Sequence, residues 1–114
     1  KKVPSFNVIG NSPLVLRESL LDEVYTMGEN FVEAAKRVVA PGMNGPFCIE
    51  GVYDENAKFT SFEFSARIVA GSNIYMDGSP YYSLLFNESM SMGKRIAREI
   101  KIATEKNQLD KITT

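Results

Sequence analysis

The most regular pattern in the chain is an alternation of apolar and polar residues near its middle. The apolar members are Phe62, Phe64, Ala66 and Ile68, and they alternate with Ser61, Glu63, Ser65 and Arg67. A period of two residues is typical of a β-strand with one face toward a core and the other toward solvent. The pattern therefore predicts a strand over residues 59–68 with one apolar and one polar face.

A second run of β-forming residues, FCIEGVY at residues 47–53, precedes this strand, and residues 54–58 between them have turn chemistry. Pairing the two strands around the loop 55–58 sets Asp54 opposite Phe59 and Glu50 opposite Glu63. Opposed residues of an antiparallel pair have Cβ atoms about 4.5–5.5 Å apart, and like charges there are unfavourable. Two full charges about 5 Å apart repel by roughly 3 kcal/mol at an effective dielectric constant of 20.

Such a carboxylate pair needs a shared proton, a nearby Arg or Lys, or a divalent cation. Two carboxylates from neighbouring strands match the oxygen ligands that Mg²⁺ takes from proteins. The alternative is that a bulge or an asymmetric turn shifts the register and both glutamates face solvent. Arg67 lies on the same face as Glu63, about 13 Å further along the strand at about 3.3 Å per residue. At that distance it is better placed to contact a ligand bound beyond the metal than to pair with Glu63.

Helical patterns lie on both sides of the predicted hairpin. Ser19 followed by Asp22 is similar to a capping box and predicts a helix over about 19–40, and a second helical pattern runs from after Asn87 to about 107. An apolar stretch at 5–9, followed by loop residues at 10–13, predicts a further strand. Because the strands pair locally instead of alternating with helices, the predicted fold class is α+β, with a largely antiparallel sheet and flanking helices.

Composition excludes several kinds of chemistry. The 114 residues include no His and one Cys, so a Cys/His zinc site, a Ser-His-Asp triad and a Cys-His dyad lack their parts. A net charge of −1 gives no basic surface for nucleic acid, and no apolar run approaches the ~20 residues that span a bilayer. With 44% hydrophobic residues, the chain is expected to fold around a core, in the cytoplasm, with neither nucleic acid nor membrane as a partner.

Several strings of residues are similar to those of known ligases. Residues 47–52 followed by 62–67 resemble the C-terminal part of ATP-grasp ligases, in which two acidic residues on strands bind the metals of ATP. More specific strings resemble the archaeal formate-dependent 5-formaminoimidazole-4-carboxamide ribonucleotide synthetases, a family of purine biosynthesis. They are GNSPLVLRESLL (10–21), GPFC (45–48), SARIVAGSN (65–73) and MGKRIAREIK (92–101).

The resemblance implies that residues 1–114 are the C-terminal ATP-grasp portion of a longer ligase, inactive when alone. It implies that ATP phosphorylates formate and that the formyl phosphate is attacked by the amine of 5-aminoimidazole-4-carboxamide ribotide. Glu50 and Glu63 carry over as ligands of Mg²⁺ or Mn²⁺, and Arg67 as the catalytic group near the transferred phosphoryl. Asn11 carries over as a contact to the ribotide, although by itself it is an ordinary turn residue.

The expected partners are ATP, formate, the ribotide and further copies of the chain in a homo-oligomer. Two alternatives stay open. The first is an ATP-grasp ligase for another acid and amine, because a metal-binding pair does not choose the substrate. The second is a binding or oligomerisation module without catalysis.

Overall fold

A computed structural model describes residues 5, 7–74 and 76–113, apart from the side chain of Asn73, and in these residues three α-helices flank one two-stranded antiparallel sheet. This confirms the α+β prediction. In chain order the elements are α1 (Leu21–Val38), β1 (Cys48–Tyr53), β2 (Phe59–Ser65), α2 (Pro80–Phe86) and α3 (Met92–Glu105). Short 3₁₀ turns lie at Glu18–Leu20, Ala70–Ile74 and Leu109–Lys111.

Charged side chains at both ends of helix α1 interact favourably with the helix dipole. Asp22 and Glu23 lie in its first turn and Lys36 and Arg37 in its last turn, where acidic and basic side chains respectively are favoured. The predicted cap is wrong, because the N-cap residue is Leu20 and no side chain caps the helix. A 3₁₀ turn leads into the helix instead.

The hairpin differs from the predicted one in two places that compensate each other. Tyr53 pairs with Phe59, so the connection is one residue longer than predicted, and the pairing of Asp54 with Phe59 is wrong. The Asp54 carboxylate accepts hydrogen bonds from the backbone N–H groups of Asn56 and Lys58, both at 2.9 Å, which closes the longer turn. A β-bulge between Glu50 and Gly51 then leaves Phe62 without a partner. The bulge restores the register, and Glu50 lies opposite Glu63 as predicted.

A glycine lets the hairpin close tightly beside the bulge. A Cβ on Gly51 would lie 2.3 Å from Cζ of Phe59 and 2.6 Å from the carbonyl oxygen of Thr60. The Phe59 ring packs over this position and contacts Tyr53, with ring centroids 5.0 Å apart. Only a residue without a side chain fits between the two strands here.

Helix α1 contacts the apolar face of the hairpin through one aromatic cluster. The ring of Phe31 lies 5.0 Å from that of Phe64 and 5.1 Å from that of Phe47, between centroids. Phe64 and Glu63 are neighbours in β2, and successive side chains of a strand point to opposite faces. Packing against α1 therefore leaves the glutamates on the other face.

Helices α2 and α3 form a second unit. The predicted helix after Asn87 is present as α3, with the Ser91 hydroxyl accepting from the backbone N–H of Lys94. Helix α2 was not predicted, although Ser79 and Pro80 are a favoured cap and first residue of a helix.

Charge and aromatic contacts join the two helices. The guanidinium carbons of Arg95 and Arg98 lie 4.7 and 4.5 Å from the ring centroid of Phe86. Between the helices, Glu88 accepts from Lys94 at 2.8 Å and from Arg98 at 2.9 Å. The hydrogen bond from Lys94, aided by the charges of Lys94 and Arg98, lowers the pKa of Glu88 below its ordinary value.

Little of this architecture is buried. Among the described residues only Met90 and Ala103 are buried, so the predicted core is not formed within them. The accessible surface is 9450 Å², against about 6,200 Å² for a compact protein of 12.7 kDa. The radius of gyration is 16.3 Å, against about 13 Å for a compact domain of 114 residues. The chain is open, with its elements in two loosely joined units.

Two remaining expectations concern the first strand and membranes. The strand predicted over 5–9 is not formed at residues 5 or 7–9, and residue 6 lies outside the described part. Within the residues that the structure describes, no helix is both long and apolar enough to cross a membrane.

Candidate functional site

The candidate site is the pair of glutamates that the hairpin sets opposite each other. Glu50 lies in the middle of β1 and Glu63 in β2, and the two are register partners next to the bulge. The Cβ atoms of such partners lie about 4.5–5.5 Å apart on one face of the sheet. Glu50 is half-buried and Glu63 is exposed, so one face of the pair is open to a ligand.

Across the part of the chain that the structure describes, no basic side chain forms an ion pair with either glutamate. The ion pairs of the described residues lie within α1, within α3, or between Glu88 and α3, and neither Glu50 nor Glu63 takes part in them. The mutual repulsion of the two carboxylates is therefore not offset by an ion pair in the described part of the chain.

The donor set fits part of a magnesium or manganese site. Mg²⁺ is commonly held by one or two carboxylates, with water and phosphate oxygens as its other ligands. Glu50 and Glu63 match that pattern. Across residues 5, 7–74 and 76–113, no group of three or more Cys, Asp and Glu side chains is placed to hold a metal ion. The pair can thus supply two ligands, and the remaining ligands must come from elsewhere.

Arg67 lies just past the end of β2, two residues beyond Ser65. Its guanidinium donates a hydrogen bond to the carbonyl oxygen of Ile68 at 3.0 Å, and the side chain is exposed. It forms none of the ion pairs of the described residues, so its charge is available to an anion that approaches this end of the hairpin.

The thiol of Cys48 lies within the electrostatic field of all these charges. Burial raises the pKa of Cys48, the charge of Glu50 raises it further, Arg67 lowers it and Glu63 raises it. Cys48 pairs with Ser65 in the register, on the face that carries both glutamates. The structure thus groups Cys48, Glu50, Glu63 and Arg67 at one end of the hairpin.

Asn11 is not brought to this group. It is exposed, in the stretch before the first 3₁₀ turn, and has no regular secondary structure. This stretch is tied instead to α2, because the backbone N–H of Leu16 donates to the hydroxyl of Tyr81 at 3.0 Å. Its role as a ribotide contact stays a prediction.

Two concave regions among the described residues lie away from the glutamates. One, of about 290 Å³, is lined by residues between Val69 and Met92, including Gly71, Ser72 and Tyr82. The other, of about 500 Å³, runs along α1, and we call it the α1 groove. It is lined by Val24, Tyr25, Gly28, Glu29, Val32, Glu33 and Phe47.

Comparison with known proteins gives the family. The family described as "Domain of unknown function (DUF1297)" matches residues 1–114. The chain belongs to this family. A protein of Nitrosopumilus maritimus is 91% identical over 113 residues, which are 99% of this chain and 33% of that protein. A protein of Cenarchaeum symbiosum is 73% identical over 112 residues, which are 98% of this chain and 33% of that protein.

A more distant relative comes from Metallosphaera sedula and is 53% identical over 114 residues, which are 100% of this chain and 34% of that protein. All three are named 5-formaminoimidazole-4-carboxamide-1-(beta)-D-ribofuranosyl 5'-monophosphate synthetase. This confirms the resemblance found in the residues. The chain spans about a third of the length of these curated relatives.

Proposed function

We propose that this member of the family is the metal-binding portion of an ATP-grasp ligase that formylates 5-aminoimidazole-4-carboxamide ribotide. The reaction consumes ATP and formate and passes through formyl phosphate. The observation that carries the proposal is the opposition of Glu50 and Glu63, neither of which forms an ion pair within the described residues. The names of the relatives, which are synthetases of the formylated ribotide, support the choice of reaction.

In this proposal each residue of the group has a distinct task. Glu50 and Glu63 would hold Mg²⁺ or Mn²⁺, which when bound supplies positive charge to the phosphates of ATP. Arg67 offers a planar guanidinium to the transferred phosphoryl group or to formyl phosphate. Catalysis of this kind depends on positioning and charge neutralisation, and residues outside 1–114 would bind the adenine. Asn11 would contact the ribotide.

The test is ADP release by the full-length polypeptide with ATP, Mg²⁺, formate and the ribotide, with each omitted in turn. Glu63→Gln removes one metal ligand while keeping the size of the side chain, and we expect it to lower the rate at least about 100-fold. Glu55→Gln is the matched control, because Glu55 is an exposed carboxylate in the turn of the same hairpin. Its rate should stay within about twofold of the unmodified protein.

Each omission has its own meaning. ADP that appears only with formate and ribotide together supports the proposal. ADP without formate points to a ligase for another acid. No ADP in any combination, from a protein shown to be folded, points to a module without catalysis. Mn²⁺ binding followed by electron paramagnetic resonance checks the metal role separately, because Glu63→Gln should weaken it and Glu55→Gln should not.

A further inference from the structure

The irregular part of the hairpin lies directly beside the two glutamates. Phe62 is the extra residue of the β-bulge. On one side of it Ser61 pairs with Gly51, and on the other side Glu63 pairs with Glu50. A bulge bends the strand that carries it and increases the local twist, so it changes the direction of the neighbouring side chains. Here one of those neighbours is a candidate metal ligand.

The bulge is not needed to set the glutamates opposite each other. A regular hairpin whose turn is one residue shorter gives the same opposition of Glu50 to Glu63. The protein instead has the longer turn, and the bulge corrects the register. With the longer turn and no bulge, Glu63 would lie opposite Ile49 on the other face of the sheet, because a slip of one residue reverses the faces. The bulge therefore has an effect beyond register, and that effect is local to the glutamates.

Packing of the extra side chain does not account for the bulge. The Phe62 side chain is 67% exposed and takes part in none of the ring-to-ring contacts of the described residues. The backbone around it is held more closely. The Ser61 hydroxyl donates a hydrogen bond to the carbonyl oxygen of Glu50 at 3.3 Å. At Gly51 the strands approach so closely that a Cβ would lie 2.6 Å from the carbonyl oxygen of Thr60.

We infer that the bulge at Phe62 positions the carboxylate of Glu63 relative to that of Glu50 for one divalent cation of the size of Mg²⁺. Phe62 and Ser61 are then positioning residues, which hold the backbone of the two glutamates and do not touch the metal. The inference rests on the proposed metal role of the glutamates and adds what selects the cation. Mg²⁺ requires near-ideal octahedral geometry at about 2.0–2.1 Å from its ligands, whereas Ca²⁺ accepts varied geometries at about 2.3–2.6 Å.

The test removes the bulge without changing the register. Deletion of Phe62 from the full-length polypeptide gives a regular ladder in which Glu50 still faces Glu63, whereas Phe62→Ala, the control, removes the ring and keeps the bulge. Binding of Mn²⁺, which takes octahedral oxygen ligands as Mg²⁺ does, is followed by electron paramagnetic resonance with Ca²⁺ as a competitor. We expect the deletion to weaken Mn²⁺ binding at least about 10-fold and Ca²⁺ binding less than about threefold. Phe62→Ala should bind both ions within about twofold of the unmodified protein.

A second variant, Ser61→Ala, keeps every residue of the ladder and decides the matter if the deletion prevents folding. It removes the hydrogen bond to the carbonyl oxygen of Glu50. We expect its Mn²⁺ binding to be about two- to fivefold weaker, with a thermal midpoint within about 2 °C of the unmodified protein.

Three results would overturn the inference. Mn²⁺ binding that the deletion leaves unchanged would show that the bulge only follows from the longer turn. Equal losses of Mn²⁺ and Ca²⁺ binding would show a general loss of the hairpin instead of a change in geometry. If the deletion variant does not fold, unchanged Mn²⁺ binding in Ser61→Ala has the same meaning. Absence of Mn²⁺ binding in the unmodified protein would overturn the proposed metal role and this inference with it, so the unmodified protein tells the two failures apart.

Discussion

Two carboxylates held opposite each other on a sheet repel, and this applies directly to Glu50 and Glu63. The register places them opposite each other, and among the described residues Arg67 forms an ion pair with neither of them. The thiol of Cys48 is close enough to sense all three charges. It is therefore a natural reporter of the charge at this site.

We expect the charges of Glu50 and Arg67 to move the pKa of Cys48 in opposite directions. Burial and Glu50 raise the pKa of this thiol above its ordinary value, and Arg67 lowers it. Because only the thiolate reacts with iodoacetamide, the alkylation rate against pH gives this pKa. The midpoint should fall in Glu50→Gln and rise in Arg67→Gln, followed on the Cys48 peptide by mass spectrometry. Equal midpoints in all three proteins would place the thiol outside the field of these charges.

At the scale of elements, the hairpin shows which features a sequence pattern can predict. Alternation along β2 predicts a strand, and the opposition of Glu50 to Glu63 was correct. The pattern could not predict the route to this register, because the longer turn depends on hydrogen bonds of Asp54 and the bulge on the close packing at Gly51. The extra residue in the turn shifts the strand register by one position, and the bulge shifts it back. A regular hairpin would give the same opposition of Glu50 to Glu63, so the sequence alone does not distinguish the two.

The helices show the same limit. Long periodic segments predicted α1 and α3, whereas α2 has only seven residues and begins at Pro80, in a stretch whose Gly, Ser and Pro residues are also typical of a loop. The missing core has another cause. Apolar residues such as Phe62, Val38 and Leu84 are 67%, 80% and 79% exposed. The hydrophobic fraction of the sequence includes such residues, but it does not show whether they are buried within the chain.

The hairpin should be sensitive to any side chain at Gly51. Gly51→Ala places a Cβ 2.3 Å from the Phe59 ring and 2.6 Å from a backbone oxygen, and the backbone atom cannot move aside cheaply. We expect a loss of about 1–3 kcal/mol in the free energy of unfolding of the full-length protein, measured in urea. Gly45→Ala is the control, because its Cβ meets nothing within 4 Å. The same loss in both variants would show that close packing at Gly51 is not its cause.

At the scale of the whole molecule, the chain is divided into a unit of α1 with the hairpin and a unit of α2 with α3. The stacking of Arg95 and Arg98 on Phe86 and the two hydrogen bonds to Glu88 hold the second unit together. The stretch that precedes α1 is tied to the second unit, because the backbone N–H of Leu16 donates to the hydroxyl of Tyr81.

Produced alone, residues 1–114 should behave as an open chain. We expect a radius of gyration of 16 Å or more by small-angle X-ray scattering, compared with 16.3 Å in the structure and about 13 Å for a compact domain. The exposed apolar side chains should also bind the dye ANS. A radius near 13 Å together with a cooperative thermal transition would contradict the open arrangement and show that the chain folds around a core of its own.

The local nature of the hairpin has a consequence for the order in which the protein folds. Its strands are joined by a turn of a few residues, so pairing them requires closing only a short loop. Hairpins form in about 1–10 μs, whereas docking of separate parts of a chain takes milliseconds to minutes. We therefore expect the hairpin to form and reopen many times early in folding, with the two glutamates opposite each other each time. The slower docking of the rest of the polypeptide then stabilises the paired state.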